Sequence, residues 1–159
     1  MPRSSSGGRA DAPRLLGQLD SLGRTLYPYQ IEGVERFITH GRLLLADDMG
    51  LGKTTQAIAA CHVLHRSKKV RRGLLIVPAA LKPQWVREWQ ATTDIAVTSV
   101  EGSPESRTRV YRQPKTPFLV IGYEQLLKIS RSFTNFRRTW LCWTRRNASR
   151  TMRRRQRST

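Results

Sequence analysis

Residues 43–59 read LLLADDMGLGKTTQAIA, an apolar run followed by a glycine-punctuated turn and a second apolar-patterned segment. The apolar run at 43–46 is typical of a strand that is buried on both faces. Between residues 54 and 64, apolar side chains recur at helical spacing, which predicts a helix. A strand, a glycine-containing loop and a helix in this order predict a phosphate-binding loop.

The residue types in this loop suit a nucleoside triphosphate. Glycines let backbone N–H groups curl around phosphate oxygens, and the following helix directs its positive end toward the same oxygens. Lys53 stands where a lysine reaches the β- and γ-phosphates, and Thr54 stands where a hydroxyl binds Mg²⁺. The complete pattern has a further glycine five positions before Gly52, where this chain has Asp47. The prediction of a phosphate-binding loop therefore depends largely on the strand before the loop and the helix after it.

The remaining segments alternate between predicted helices and predicted strands. The predicted helices are 29–38, 82–90 and 124–129, the predicted strands are 73–78, 95–100 and 118–121, and 103–112 is a loop or short helix. Strands that alternate with helices predict an α/β fold with a mainly parallel sheet. Trp85 and Trp89 are four residues apart, so we expect both to pack against that sheet.

Size and composition limit the possible classes of protein. The 159 residues suffice for one domain with a sizeable core. No apolar run approaches a membrane span and the N-terminal residues lack the apolar core of a secretory signal, so we expect neither membrane association nor secretion. Two cysteines do not suggest a disulfide scaffold, which favours a bacterial cytoplasm or a nucleus. Cys61, His62 and His65 lack an evident fourth ligand, which favours core or surface roles over a metal site.

The net charge of +18 is typical of proteins that bind nucleic acid. Its distribution is uneven, since residues 131–159 contain ten arginines and no Asp or Glu. Such a segment can bind phosphate backbones through counterion release. A small, non-catalytic basic protein that binds nucleic acid through this tail is therefore the alternative to a nucleotide-dependent enzyme.

Four segments resemble the first motor lobe of Swi/Snf-type ATPases, the DNA translocases of helicase superfamily two. LYPYQIEGV at 26–34 resembles the adenine-reading segment of that family. LADDMGLGKTTQAIA at 45–59 resembles its phosphate loop, which usually reads DEMGLGKT and lacks the first glycine, as here. LLIVPAALKPQWVREW at 74–89 resembles the next motif, and FLVIGYEQLL at 118–127 resembles the strand and turn before an acidic box.

The resemblance implies a parallel-sheet P-loop NTPase fold, a RecA-like helicase lobe that is incomplete here, and we expect its termini to be disordered. It also implies ATP and Mg²⁺ as cofactors and double-stranded DNA as the partner. Lys53 and Thr54 would be catalytic, the first holding phosphate and the second binding Mg²⁺, and Gln30 would hydrogen-bond adenine. Lys82 and Tyr123 would contact the DNA backbone without reading its sequence. The implied nucleotide-binding residues are Gln30, Asp48, Met49, Gly50, Leu51, Gly52, Lys53, Thr54 and Thr55.

The family resemblance also implies a strand that ends in an Asp-Glu box, which holds Mg²⁺ and positions the attacking water. Residues 140–147 instead read WLCWTRRN. The coding frame can be shifted by reading the last base of each codon with the first two bases of the next. In that frame, the codons of residues 139–143 can encode only apolar residues. The pair Trp143 and Thr144 then yields Asp. The sequence thus predicts a frameshift between about Gln125 and Arg138, with non-native residues after it.

These inferences divide the chain into a flexible tail (1–22), a partial ATP-binding lobe (23–130) and an out-of-frame, disordered Arg-rich tail (131–159). The leading hypothesis is a fragment of a Swi/Snf-type DNA translocase that keeps the ATP-binding motifs but lacks the Asp-Glu box and the second lobe. Whether the chain alone is an enzyme stays open, and we expect negligible ATPase activity. A kinase is disfavoured, because it needs neither the Gln30 segment nor the segment at 78–85.

Overall fold

The computed structural model describes residues 12–40, 52–129, 139–145, 148–149 and 153–154. The helices are α1 (Ala12–Leu16), α2 (Pro28–His40), α3 (Lys53–Arg66), α4 (Lys82–Thr92), α5 (Pro104–Arg112) and α6 (Tyr123–Ile129), with 3₁₀ turns at Gly17–Ser21 and Ala79–Leu81. The strands are β1 (Arg72–Val77), β2 (Val97–Ser99), β3 (Phe118–Gly122), β4 (Thr139–Arg145), β5 (Ala148–Ser149) and β6 (Arg153–Arg154). The predicted strand at 43–46 lies outside the described residues.

The sheet is mainly parallel, as the alternation of elements predicted. Strands β2, β3, β1 and β4 are neighbours in that order and run parallel, whereas β5 and β6 pair antiparallel with β4. All five residues of β3 and the last five of β1 are buried, as expected for strands covered on both faces. The α/β fold class is therefore confirmed.

Side chains of β1 and β3 alternate between two hydrophobic clusters, one on each face of the sheet. Leu75 and Val120 belong to a large cluster with the buried residues of α2, α3 and α4. Leu74 and Leu119, each one position earlier, belong to a smaller cluster with Tyr111 of α5. This period of two is the geometry of a pleated strand. Among the described helices, none is both long and apolar enough to cross a membrane.

The two tryptophans of α4 pack in the large cluster, as their spacing predicted. Trp89 is fully buried, and its ring centroid lies 4.7 Å from that of Phe118 on β3. Its Nε1 donates a hydrogen bond to the Ile95 carbonyl oxygen at 2.6 Å. Trp85 is buried in the same cluster. Both side chains therefore fix α4 against the sheet, and Trp89 also fixes the turn that leads to β2.

Residues 12–22, expected to belong to a flexible tail, are instead part of the folded lobe. Leu15 is buried in the large cluster, and Leu16, Leu19 and Leu22 pack against it. Gly23 donates its backbone N–H to the Thr92 carbonyl oxygen at 2.9 Å, which fastens the end of this segment to α4. The leucines bury enough apolar surface to hold the segment on the domain, since burial is the main favourable term in folding.

The strand β4 lies where the sequence analysis expected disorder. It pairs in parallel with β1, from Thr139 opposite Arg72 to Trp143 opposite Ile76. Backbone hydrogen bonds hold such a ladder, and aromatic and β-branched residue types favour strands. The segment therefore occupies the position beside β1, on the side away from β3.

Candidate functional site

The candidate nucleotide site begins at Gly52, the residue before α3. Gly52 has φ 72° and ψ 35°, the left-handed conformation that glycine adopts without a steric penalty. Its carbonyl oxygen accepts the N–H of Gln56 at 3.0 Å, which forms the first turn of α3. No side chain among the described residues caps this helix end. The first N–H groups and the positive end of the helix dipole therefore suit an anionic phosphate.

Three of the predicted nucleotide-binding side chains follow directly in the first turn of α3. Lys53 and Thr54 are half-buried and Thr55 is buried. The Thr55 hydroxyl accepts a long hydrogen bond of 3.5 Å from Arg24 Nη1. The predicted roles of Asp48, Met49, Gly50 and Leu51 stay predictions, because these residues lie outside those that the structure describes.

Gln30 on α2 lies directly against Gly52. Its side chain is 5% exposed, and its Oε1 accepts the backbone N–H of Tyr27 at 2.9 Å. Its own backbone N–H donates to the Tyr27 carbonyl oxygen at 2.9 Å, so Gln30 is held at the start of α2 by two bonds. A Cβ atom placed on Gly52 would lie less than 3.0 Å from Gln30 Nε2. The structure thus brings together two residues that the sequence assigned to adenine and to phosphate.

Two tyrosines beside Gln30 form an exposed aromatic surface that sequence reasoning missed. The rings of Tyr27 and Tyr29 stack with centroids 5.9 Å apart and an angle of 5° between their planes. Their exposed fractions are 65% and 43%. The Tyr-Pro-Tyr spacing was the available sequence signal. Flat exposed rings of this kind can stack on a heterocyclic base.

Lys82, predicted to contact DNA phosphate, is buried in this structure. It is 4% exposed, and its Nζ donates to the Val100 carbonyl oxygen at 2.8 Å and to Glu101 Oε1 at 2.7 Å. The hydrogen bond from Lys82 is the main reason that the pKa of the Glu101 carboxyl is lowered. An ammonium group occupied in this way does not favour the predicted phosphate contact. A buried backbone carbonyl and a carboxylate from a distant segment give no signal in local sequence.

Tyr123, the other predicted DNA contact, also turns its polar end inward. Its hydroxyl oxygen is buried, and its ring packs with Leu126 against the smaller hydrophobic cluster. The residues around it bind one another, since Gln125 Oε1 accepts the backbone N–H of Gly122 at 2.7 Å. This placement favours a structural role of the Tyr123 side chain.

An ion pair connects the segment before α2 with α4. Arg24 Nη1 lies 2.9 Å from Glu88 Oε2, with both side chains about one-third or more exposed. The same Nη1 is the donor to Thr55 at the start of α3. Arg24 therefore lies between the candidate nucleotide site and α4. The sequence gave no indication of this contact, because the two partners are 64 residues apart.

Gln56 is a buried polar residue that sequence reasoning counted only as part of a helix. Its side chain is 2% exposed, and neither Oε1 nor Nε2 has a hydrogen-bond partner within the part of the chain that the structure describes. A buried polar group without a partner costs about 1–3 kcal/mol. The residue lies one turn after Gly52, and side chains on a helix lean toward its N-terminus. An unsatisfied amide is thus present one helical turn from the candidate phosphate-binding end.

His62 fastens the N-terminal segment to α3 and to the end of α4. Its Nε2 lies 2.7 Å from Ser21 Oγ and 3.1 Å from the Gln18 carbonyl oxygen, and its Nδ1 lies 2.7 Å from Thr93 Oγ1. Because a carbonyl only accepts, Nε2 carries the hydrogen and Thr93 donates to Nδ1. Burial lowers the pKa of His62. The neutral ring therefore acts as a structural bridge.

Comparison with known proteins identifies the family. The model of the SNF2-related domain matches residues 29–145. The chain belongs to this family. The match begins at Tyr29, spans α2 to α6 and extends through β4, so this SNF2-related chain carries the family pattern in the segments that the sequence analysis had singled out.

Curated relatives agree with the family match but are far longer than this SNF2-related chain. ATP-dependent helicase brm of Drosophila melanogaster is 37% identical over 113 residues, which cover 65% of this chain and 7% of that protein. Chromatin remodeling factor mit1 of Schizosaccharomyces pombe is 40% identical over 97 residues, covering 57% of this chain and 7% of that protein. The chain thus spans less than a tenth of the length of these relatives.

A solved structure agrees with the fold. The SWI2/SNF2 ATPase core of Sulfolobus solfataricus, in complex with dsDNA, superposes with a TM-score of 0.60 at 28% identity. The superposition covers 70% of this chain and 24% of that chain. The predicted Swi/Snf-type ATPase resemblance is confirmed by these findings. Strand β4, at the end of the matched region, contains no Asp or Glu.

Proposed function

We propose that this chain binds ATP with Mg²⁺ at the N-terminal end of α3 and double-stranded DNA at the carboxyl edge of its sheet, as part of a Swi/Snf-type DNA translocase. The observation that carries the nucleotide proposal is the contact between Gln30 and Gly52, which joins the adenine-reading segment to the phosphate-binding turn. Family membership over residues 29–145 supports the same assignment.

In this proposal each described residue has one task. The N–H groups at the start of α3 and the Lys53 ammonium hold the phosphates, and the Thr54 hydroxyl binds Mg²⁺. Gln30 recognises adenine through its amide. When bound, Mg²⁺ supplies charge stabilisation to the phosphoryl oxygens. The site suits a Mg²⁺-bound triphosphate, because the N-terminal end of α3 has no side-chain cap and both Lys53 and Thr54 are half-buried.

The proposed DNA surface lies where the parallel strands β1 and β3 end. The two turns that follow these strands lie close together, since a Cβ atom on Gly122 would lie 3.6 Å from Ala79 Cβ. In open α/β sheets ligands bind outside the carboxyl ends of the strands. The Sulfolobus relative in complex with dsDNA supports a DNA backbone as the ligand of this edge.

Nucleotide binding is tested by calorimetric titration of MgATP into the chain and into Lys53→Ala. We expect loss of most of the affinity, because a point charge on the phosphates is removed. Lys115→Ala, a change at an exposed lysine, is the matched control and should bind as the parent does. Equal affinity in Lys53→Ala and the parent would contradict the proposed site.

Turnover is expected to be negligible, because β4 offers no carboxylate for Mg²⁺ and water. DNA-stimulated hydrolysis that disappears in Lys53→Ala would refute this expectation.

The proposed frameshift is tested by sequencing the coding DNA: we expect the alternative frame to continue through an Asp-Glu box. A stop codon soon after Trp140 in that frame would rule it out.

DNA binding is tested with a duplex in a salt series, using the whole chain and a chain without residues 146–159. This deletion removes much of the Arg-rich tail but keeps β4. Salt-dependent binding that survives the deletion supports the surface of the lobe. Binding that is lost on deletion supports the alternative, a basic protein acting through its tail.

A further inference from the structure

Two side chains from separate elements converge on one backbone carbonyl at the carboxyl edge of the sheet. The Val100 oxygen, just after β2, accepts Lys82 Nζ at 2.8 Å and Gln125 Nε2 at 2.8 Å. Lys82 begins α4, after the turn that follows β1, and Gln125 lies in α6, after the turn that follows β3. One carbonyl oxygen therefore joins the turns that follow all three of these strands.

Both side chains make a second bond that fixes them further. Lys82 Nζ donates to Glu101 Oε1 at 2.7 Å, and Glu101 in turn accepts Ser99 Oγ at 2.7 Å. Gln125 Oε1 accepts the backbone N–H of Gly122 at 2.7 Å. We call Lys82, Val100, Glu101 and Gln125 the junction. Because its members lie on different elements, movement of one turn breaks bonds that hold the other.

Burial makes the junction stiff. The Lys82 side chain is 6% exposed, so its ammonium cannot exchange these partners for water without moving α4. Removing one partner of a buried, hydrogen-bonded charge is costly, because the remaining charge or carbonyl stays desolvated. The two turns are also close in space, since a Cβ atom placed on Gly122 would lie 3.6 Å from Ala79 Cβ. The turns at Ala79–Leu81 and at Gly122 thus form one unit.

We propose that Lys82 and Gln125 are positioning residues that hold the turns after β1 and β3 as a single rigid platform for the DNA backbone, and that Lys82 itself makes no phosphate contact. This inference rests on the proposed DNA-binding function. Phosphates along a duplex have fixed spacing, so two backbone turns that bind neighbouring phosphates must keep a fixed distance. A displacement of about 1 Å between positioned groups can cost orders of magnitude in activity.

The first test needs no DNA. It measures the rate of amide hydrogen exchange in the two turns that the junction connects. The Leu81 N–H donates to the Pro78 oxygen at 2.8 Å in one turn, and the Gly122 N–H donates to Gln125 in the other. Lys82→Met should speed exchange at Gly122, and Gln125→Leu should speed it at Leu81, each by about tenfold relative to α3 amides. Exchange is therefore measured, for each variant, at an amide in the turn that does not contain the substitution.

Controls keep the exchange test decisive. Gln90→Leu, at an exposed glutamine of α4, should change neither amide. Glu101→Gln is a milder change that removes only the carboxylate partner of Lys82, and should speed Gly122 exchange less than Lys82→Met does. Unchanged exchange at Gly122 in Lys82→Met, in a variant that still melts cooperatively, would overturn the inference. So would acceleration at Gly122 without acceleration at Leu81 in Gln125→Leu.

The second test measures duplex DNA affinity against salt concentration. A lysine that binds a phosphate reduces the slope of log K against log salt by about one when it is removed. We expect Lys82→Met and Gln125→Leu each to weaken binding by about tenfold at an unchanged slope. A slope reduced by about one in Lys82→Met would identify a direct phosphate contact and overturn the inference. No duplex binding by the parent chain would refute the proposed DNA function, while the exchange test still decides the platform.

Discussion

Replacement of Gly52 by alanine tests the contact that joins the two halves of the candidate nucleotide site. Gly52 has a φ of 72°, and a non-glycine residue in the left-handed region costs about 1–2 kcal/mol. The new Cβ atom would also displace Gln30 Nε2. Moving Gln30 weakens its hydrogen bond to Tyr27, a loss of about 0.5–1.5 kcal/mol. We expect Gly52→Ala to lower the free energy of unfolding by about 1.5–3.5 kcal/mol, the sum of these two terms.

The assay is urea unfolding at constant pH, with Gly102→Ala as the matched control. Gly102 also has a positive φ, of 90°, but a Cβ atom there would meet its nearest neighbour, Ser106 Cβ, at an ordinary 3.6 Å. Gly102→Ala should therefore show only the backbone penalty of about 1–2 kcal/mol. The difference between the two variants measures the displacement of Gln30.

A double-mutant cycle with Gln30→Ala isolates the same contact. Without the glutamine amide, Gly52→Ala should cost only the backbone penalty, giving a coupling energy of about 1 kcal/mol. The affinity for MgATP should fall in Gly52→Ala, because both the turn and Gln30 move. Equal costs of Gly52→Ala and Gly102→Ala, together with no coupling to Gln30, would refute the reasoning.

Two further predictions concern buried polar groups on α3. Gln56→Met should raise the free energy of unfolding by about 1–3 kcal/mol in the absence of nucleotide, because it removes a buried amide that has no partner among the described residues. Lower stability by urea unfolding would contradict this. Burial lowers the pKa of His62 below its ordinary 6.5, so below that pH the unfolded chain binds a proton that the folded chain does not. Stability should be full above pH 6.5 and fall as pH decreases from there toward the folded-state pKa. The slope should be absent in His62→Asn.

The parts of the fold that the sequence predicted are those set by local periodicity. Val77 and Ile121 lie at the ends of continuous apolar runs bounded by proline or glycine, and both runs form buried central strands. The spacing of apolar residues likewise predicted α2 and α3, and Pro83 near a first turn predicted α4. Such patterns record which faces are buried, and burial is what the sheet and its helices provide. The type of these central elements was therefore available from the sequence, whereas α1 and β4 form where flexible or disordered tails were expected.

The side-chain contacts of the candidate site were less predictable, because they depend on distant segments. Lys82 was expected to contact the DNA backbone, whereas its ammonium group binds Val100 and Glu101, which lie 18 and 19 residues further along the chain. Arg24 and Glu88 meet because the segment before α2 is held against α4, where Gly23 donates its backbone N–H to the Thr92 carbonyl oxygen. The family resemblance implied that Gln30 and Gly52 bind the same nucleotide, but their closeness to one another depends on how α2 packs against the start of α3. Periodicity reports the environment of a residue and not the identity of its partner.

The central position of β1 has a consequence for how this chain folds during synthesis. Parallel neighbours cannot be joined by a hairpin, so β1 leaves the ribosome well before β3 and β4. Its two edges stay unpaired until Phe118–Gly122 and then Thr139–Arg145 have been made. Unpaired strand edges in nascent chains are prone to aggregation. Nascent chains stalled between these two points should therefore depend on chaperones more than chains released after Arg145.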